Sequence, residues 1–227
     1  MVIFLTVCYH TSGRFLSIFC KCRYSTSGEE YMNRRNLLKA GVALAAVAAM
    51  PFGRAQAKTP SKKTLVIVSH PYPESSTFIK GLQQAAETVE GVTVRNLETI
   101  YGFDTRAVKG DEERRIMRAH DRVVFIFPTH WFNITPMMKA YLNETWGSVG
   151  PGLWQGKEML VVSTAAGGSE TYGKNGRVGV ELADVFLPMK ASALHCGMTY
   201  LPPLVFQGVR SSELANYQQQ LIERLMQ

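Results

Sequence analysis

From Thr64 onward, short runs of consecutive apolar residues alternate with longer stretches in which apolar residues recur at helical spacing. That is the pattern of βαβ units and a parallel sheet. Thr64-Leu65-Val66-Ile67-Val68-Ser69 predicts a first strand, and Ser75 or Ser76 is placed to cap a helix running to about Val89. Val92 to Leu97 reads as a second strand, and Asp111 is placed to cap a helix through Arg118. The unbroken apolar run Val123 to Phe127, led by Arg122, suits a strand covered on both faces. Pro136 opens a helix to about Trp146, at the position where a missing N–H costs least. Glu158 to Ser163 predicts the fourth strand, and Glu181 to Cys196 a helix closed by Gly197. Met198 to Leu201 gives a fifth strand stopped by Pro202-Pro203, and Ser211 to Met226 a last helix capped by Ser211 or Ser212. The expected fold is a doubly wound α/β domain of five parallel strands between two helical layers.

The 227 residues, 46% hydrophobic and 19% charged, are ordinary for a globular protein. The net charge of +7 changes the picture only through its distribution. Residues 1–57 hold Arg14, Lys21, Arg23, Arg34, Arg35, Lys39 and Arg54 against Glu29 and Glu30, so most of the excess sits in a leader. The remainder carries no basic stripe with interleaved aromatics, and a nucleic-acid partner is not expected. Within the leader, Met32-Asn33-Arg34-Arg35-Asn36-Leu37-Leu38-Lys39 is a twin-arginine start. It is followed by apolar Ala40 to Met50 and the cleavage-type sequence Ala55-Gln56-Ala57. Residues 32–57 are expected to be a Tat signal peptide directing the chain to the periplasm, with a mature domain over 58–227. Residues 1–31 are read as an extension upstream of the true start. An uncleaved leader, leaving the chain cytoplasmic or membrane-associated, is the alternative. Cys8, Cys20 and Cys22 lie upstream and Cys196 alone lies in the mature part, which leaves no disulfide framework.

Candidate chemistry concentrates in three loops directly after apolar runs, because ligands of open parallel sheets sit outside the strands' carboxyl ends. The first, Ser69 to Phe78, lacks both the dinucleotide glycine fingerprint and the P-loop lysine. Instead it sets Ser75, Ser76 and Thr77 at a helix start, where free amides favour a phosphate, although an ordinary N-cap has the same signature. The second, Pro128-Thr129-His130-Trp131-Phe132, offers aromatics that wall a flat ring or pack in a core. The third, Thr164-Ala165-Ala166-Gly167-Gly168-Ser169, allows close backbone approach to a ligand's anionic edge, with Tyr172 a further donor. His70, His120, His130 and His195 show no metal-ligand spacing, and no Gly-x-Ser-x-Gly elbow is present. Metal and acyl-transfer chemistry are not expected.

Ser69-His70-Pro71, Pro128-x-x-Trp131-Phe132 with Pro136 and Lys139, Thr164-x-x-Gly167-Gly168, and Cys196-Gly197 with Leu201-Pro202-Pro203 together resemble the flavodoxin-like NAD(P)H:quinone oxidoreductases. The resemblance extends to the ancillary subunits of potassium-efflux systems and spans roughly Lys63 to Gly208. It implies a flavodoxin-like three-layer αβα fold. His70, Ser76, Thr77 and Phe78 would hold the flavin phosphate and ribityl chain. Pro128, Thr129, His130, Trp131 and Phe132, with Thr164, Ala165, Ala166, Gly167 and Gly168, would surround the ring, and Tyr172 would steady its reduced form as the catalytic residue. It implies FMN, with FAD as the alternative, NAD(P)H as co-substrate, a quinone-like acceptor, ping-pong hydride transfer and a homodimer. The chain departs from the family pattern at Ile79, His130, Asn143 and Ala166, and the family's partner histidine has no counterpart in Lys174-Asn175-Gly176-Arg177, where Arg177 is a weak substitute. A regulatory flavin-binding subunit docked on a membrane transporter is the second reading. A one-electron carrier is disfavoured, because such carriers are strongly acidic and this domain is near neutral.

Overall fold

The computed structural model describes residues 62–147 and 150–227. The expected extension, Tat signal and cleavage site all lie outside these residues. Six strands form one parallel sheet: β1 (Thr64–Val68), β2 (Val92–Asn96), β3 (Arg122–Pro128), β4 (Glu158–Ala165), β5 (Thr199–Tyr200) and β6 (Leu204–Gln207). The order is β2-β1-β3-β4-β5, with β6 also on β4. The helices are α1 (Phe78–Glu87), α2 (Leu97–Tyr101), α3 (Gly110–Arg118), α4 (Pro136–Trp146), α5 (Leu187–His195) and α6 (Leu214–Leu225). Alternate strand residues feed opposite faces, as the period of two requires. Leu65, Ile67, Val123, Phe125 and Val161 pack with Met117, Met138, Tyr141 and Met189 of α3, α4 and α5. Val66, Val68, Val124, Ile126 and Val162 pack with Leu82, Ala86, Leu221 and Leu225 of α1 and α6. Three αβα layers follow, and the flavodoxin-like fold class is as expected.

Several boundaries differ from the sequence expectation for identifiable reasons. The expected fifth strand is split in two: β5 pairs Glu158↔Thr199 and β6 pairs Val162↔Leu204, so the register slips by one residue between them. Pro202 and Pro203 have no N–H to donate at that point and force the break. Thr164 and Ala165, expected in a loop, complete β4 because β6 extends the ladder to Ala165↔Gln207. The helix expected from Glu181 begins only at Leu187, after a 3-10 turn over Asp184–Phe186, with Pro188 in its first turn. Gly197 then closes it with φ +78, as anticipated. Asp111 does not cap α3. The N-cap position is Lys109, and the Asp111 carboxylate instead accepts from Arg114. Neither Ser211 nor Ser212 makes a cap bond; they lie in a 3-10 turn leading into α6. α4 spans the residues expected for it, and Thr135 caps it by accepting from the Met138 amide at 3.3 Å.

Candidate functional site

The loops after β1, β3 and β4 converge on one cavity of about 220 Å³. Its lining comprises His70, Ser75, Ser76, Thr77, Phe78 and Ile79 from the first loop, Pro128, Thr129 and His130 from the second, Thr164 and Ala166 from the third, and Val209. A polar floor fixes the first two loops against each other. Buried Ser69, the first residue of the first loop, donates to Glu98 at 2.6 Å, and its hydroxyl also pairs with that of Thr135, the α4 cap. The second Glu98 carboxyl oxygen, Oε2, is buried with no hydrogen-bond partner among the described residues. Burial raises the Glu98 pKa, the Ser69 hydrogen bond opposing it.

At the first loop, Ser76 is extended and buried, and its hydroxyl accepts from the Lys80 amide at 3.2 Å. Ser76, not Ser75, therefore satisfies an amide of α1. The amides of Thr77, Phe78 and Ile79 have no acceptor among the described residues. They are the unsatisfied donors that every helix start presents, and they lie on the cavity wall.

The second loop is under backbone strain. His130 and Asn133 exchange N–H···O bonds of 3.2 and 3.0 Å, closing a two-residue hairpin turn in which Trp131 (φ +48) and Phe132 (φ +57) are both left-handed. Such turns favour Asn-Gly, because a Cβ there is crowded. The turn thrusts Trp131 out to 94% exposure and Phe132 to 42%. Strain retained for an exposed aromatic pair is the kind of departure that marks a working surface. The double substitution Trp131→Asn with Phe132→Gly should raise stability by about 1–2 kcal/mol. On the family resemblance, it should also cut flavin-dependent turnover roughly tenfold through loss of the apolar surface beside the ring. Chemical denaturation and steady-state rates on the same variant check both halves.

The third loop is stitched to the strand beyond it, with Gly208 N–H donating to the Gly167 carbonyl at 2.8 Å and Val209 N–H to that of Ala165 at 3.2 Å. At Gly208 a side chain is disfavoured twice, by the left-handed φ of +60 and by a Cβ position only 3.2 Å from the Gly168 Cα. The Ala166 and Gly167 amides have no acceptor among the described residues. Gly168 differs from expectation, because its amide donates to the Glu170 carboxylate at 2.7 Å, and that bond holds the Glu170 carboxyl below the usual range.

The structure thus brings His70, Ser76, Thr77, Phe78, Pro128, Thr129, His130, Thr164 and Ala166 to one cavity. Trp131 and Phe132 stand at its rim loop. Ala165 is buried in β4, and Gly168 faces a neighbouring cavity with Gln207, Val209 and Arg210. Tyr172 is 6% exposed, packs edge-on beneath Phe132 with ring centroids 5.9 Å apart, and does not line the cavity. Burial raises its phenol pKa. Among the lining residues, Ile79 and Val209 were not named from the sequence as contacts, and Ser75 was named only at the helix start. The Gly208-Val209 step just past an apolar run was the signal available for Val209. Among the described residues no cluster of metal-ligating side chains occurs, and no helix is long and apolar enough to cross a membrane.

The donor set fits a phosphorylated flavin: free helix-start amides, serine and threonine hydroxyls, a paired aromatic rim and two free amides from a glycine-containing loop. The profile of the Flavodoxin_2 family, described as a flavodoxin-like fold, matches residues 62–227. The chain is 29% identical over 174 residues to general stress protein 14 of Bacillus subtilis, covering 73% of this chain and 98% of that protein. Among solved structures, one described as a thermophilic tryptophan halogenase from Streptomycin violaceusniger is similar at 30% identity. Its TM-score is 0.67, and the match covers 72% of this chain and 98% of that one. General stress protein 14 of Treponema denticola, solved in complex with FMN, is similar at 26% identity and TM-score 0.66, covering 72% and 97%. An NADPH-quinone reductase from P. pentosaceus shares the fold at 19% identity and TM-score 0.62, covering 72% and 97%.

Proposed function

The chain belongs to the Flavodoxin_2 family, and from that premise we propose that it is an FMN-dependent NAD(P)H:quinone oxidoreductase. The observation that carries the proposal is the convergence of three strand-end loops on one cavity rich in unpaired amides and hydroxyls. The FMN complex of the Treponema denticola relative and the NADPH-quinone reductase fold neighbour support it.

When bound, FMN supplies two-electron hydride chemistry. The protein's part is to hold and orient. Thr77, Phe78 and Ile79 amides and the neighbouring hydroxyls would take the phosphate, and Thr129 and Thr164 the polar chain. The Ala166 and Gly167 amides would favour negative charge on the ring edge, the role played by preorganised donors elsewhere. The aromatic turn would present a flat surface where a nicotinamide and then a quinone stack in succession, which is the geometry of ping-pong exchange.

Trp131, at 94% exposure, is a large apolar surface that favours cover by a second copy, so a homodimer with the site at its interface forms part of the reading. The twin-arginine leader gives it a periplasmic destination, reached by a folded protein loaded with its cofactor beforehand. The experiment is direct: the full-length chain, purified and given FMN, should oxidise NAD(P)H with a soluble quinone at a rate well above the same concentration of free FMN. A yellow protein with no turnover above that background would favour a regulatory subunit. A protein that takes up no flavin at micromolar concentration would reject both.

A further inference from the structure

The cavity's lining side chains bear no permanent charge, and its only ionisable ones are His70 and His130. Their rings, from separate loops, meet edge to face with centroids 5.9 Å apart. We propose that His70 and His130 form a proton-loaded clamp for the phosphate of a bound flavin mononucleotide, so that its affinity rises as pH falls toward 6.5. The inference rests on the flavin reading above.

His70 Nδ1 accepts from the Tyr72 amide at 2.9 Å, which leaves the neutral ring's proton on Nε2, free to donate. Burial, then the charge of His130, holds His70 below the usual histidine range, so the pair resists carrying two protons at once before a flavin binds. A dianionic phosphate reverses that balance: it favours an imidazolium beside a neutral Nε2–H donor, and solvent supplies the proton. The surrounding groups do not substitute for the pair. The Tyr72 ring lies tilted beside His130, with centroids 6.1 Å apart. Glu74 and Lys80 share an adjoining cavity with His70. Glu98 lies beneath, bonded to the Ser69 hydroxyl. Thr164 and Ala166 face the pair from the third loop without charge, and Arg210 borders the neighbouring cavity. The helix-start amides are independent of pH, so a slope in affinity reports the histidines.

The test compares FMN with riboflavin, which lacks the phosphate, by fluorescence titration of the full-length chain between pH 6.5 and 8.5. Over this window the phosphate, whose second pKa is about 6, stays mainly dianionic, and its own titration would weaken binding toward the acid end, opposite to the expected slope. FMN should bind about tenfold more weakly at the upper end, as uptake of half a proton or more per flavin requires, and riboflavin should change less than about twofold. His130→Gln should flatten the FMN slope to about threefold or less. Calorimetry in two buffers of different ionisation enthalpy should show proton uptake on FMN binding that shrinks in the variant. An FMN slope equal to that of riboflavin overturns the clamp, even if His130→Gln fails to fold. A wild-type slope retained in His130→Gln does so as well. If FMN binds at every pH with a flat profile, only the clamp falls. If neither flavin binds at any pH, the flavin reading falls with it.

Discussion

Thr77→Asp is expected to lose FMN affinity by about two to three orders of magnitude without losing its fold. Thr77 holds the N-cap position of α1, where its own amide and those of Phe78 and Ile79 remain free. Thr77 is itself αR and Ser76 makes the capping bond, so an aspartate there is a first-turn acid that the positive helix end favours, and the helix should be as stable as before or slightly more so. Its carboxylate, however, would satisfy the same donors that a phosphate needs, and would meet the phosphate as a like charge. Such juxtapositions cost about 3–4 kcal/mol, and each 1.4 kcal/mol is tenfold. Thr77→Asn, a neutral residue of similar shape, should stay within about tenfold of the parent. Riboflavin, with no phosphate, should be affected far less by either change. Equal losses for FMN and riboflavin would show that the α1 start is not the phosphate site.

Arg122→Ala is expected to cost about 3–5 kcal/mol of stability, a fall of roughly 10 °C in Tm for a domain of this size. Arg122 is 4% exposed. Its Nε donates to Glu158 Oε2 at 2.8 Å, and Nη1 reaches the carbonyls of Arg224 and Leu225 at 3.4 Å, tying the end of α6 to the sheet. Removing it leaves a partly buried carboxylate with only Lys62 as its cation. Arg122→Met combined with Glu158→Leu should recover most of the loss, because the cost lies in a partly buried carboxylate left with incomplete compensation rather than in the pair itself. The pH dependence has a definite sign. Burial acts to raise the Glu158 carboxyl, but hydrogen bonds from Lys62 and Arg122 and their charges outweigh it and hold the carboxyl below the ordinary range. A depressed native value contributes stability above the unfolded pKa, about 4.3, and that contribution is lost as pH falls through the native one. The gap between wild type and Arg122→Ala should therefore narrow below about pH 4 in urea titrations.

What the sequence made legible follows from how local each cause is. The core strands were readable because alternate residues such as Leu65 and Val66 feed two separate cores, which forces uninterrupted apolar runs. α4 was readable to the residue because Pro136 and Thr135 together write its start. The split of the last strand was not, because Pro202-Pro203 looks like a terminator when its pairing to β4 is unseen. The three loops were found by position after strands, but their inner arrangement depends on long-range contacts. Tyr172 is buried by Phe132, a residue distant in sequence, and the Gly168 amide is taken by Glu170. Val209 joins the cavity only because β6 continues the ladder past the prolines. The left-handed turn at Trp131-Phe132 was invisible because its residues are the opposite of those such turns favour.

The central claim is that the tips of β1, β3 and β4 hold one flavin between them. Backbone amide NMR of the full-length chain titrated with FMN tests it most directly. The account predicts that the largest shifts fall on Thr77, Phe78, His130, Trp131, Ala166 and Gly167, residues from all three loops. Shifts confined to one loop, or centred instead on the surface of α4 and α5 around Lys139 and His195, would contradict it.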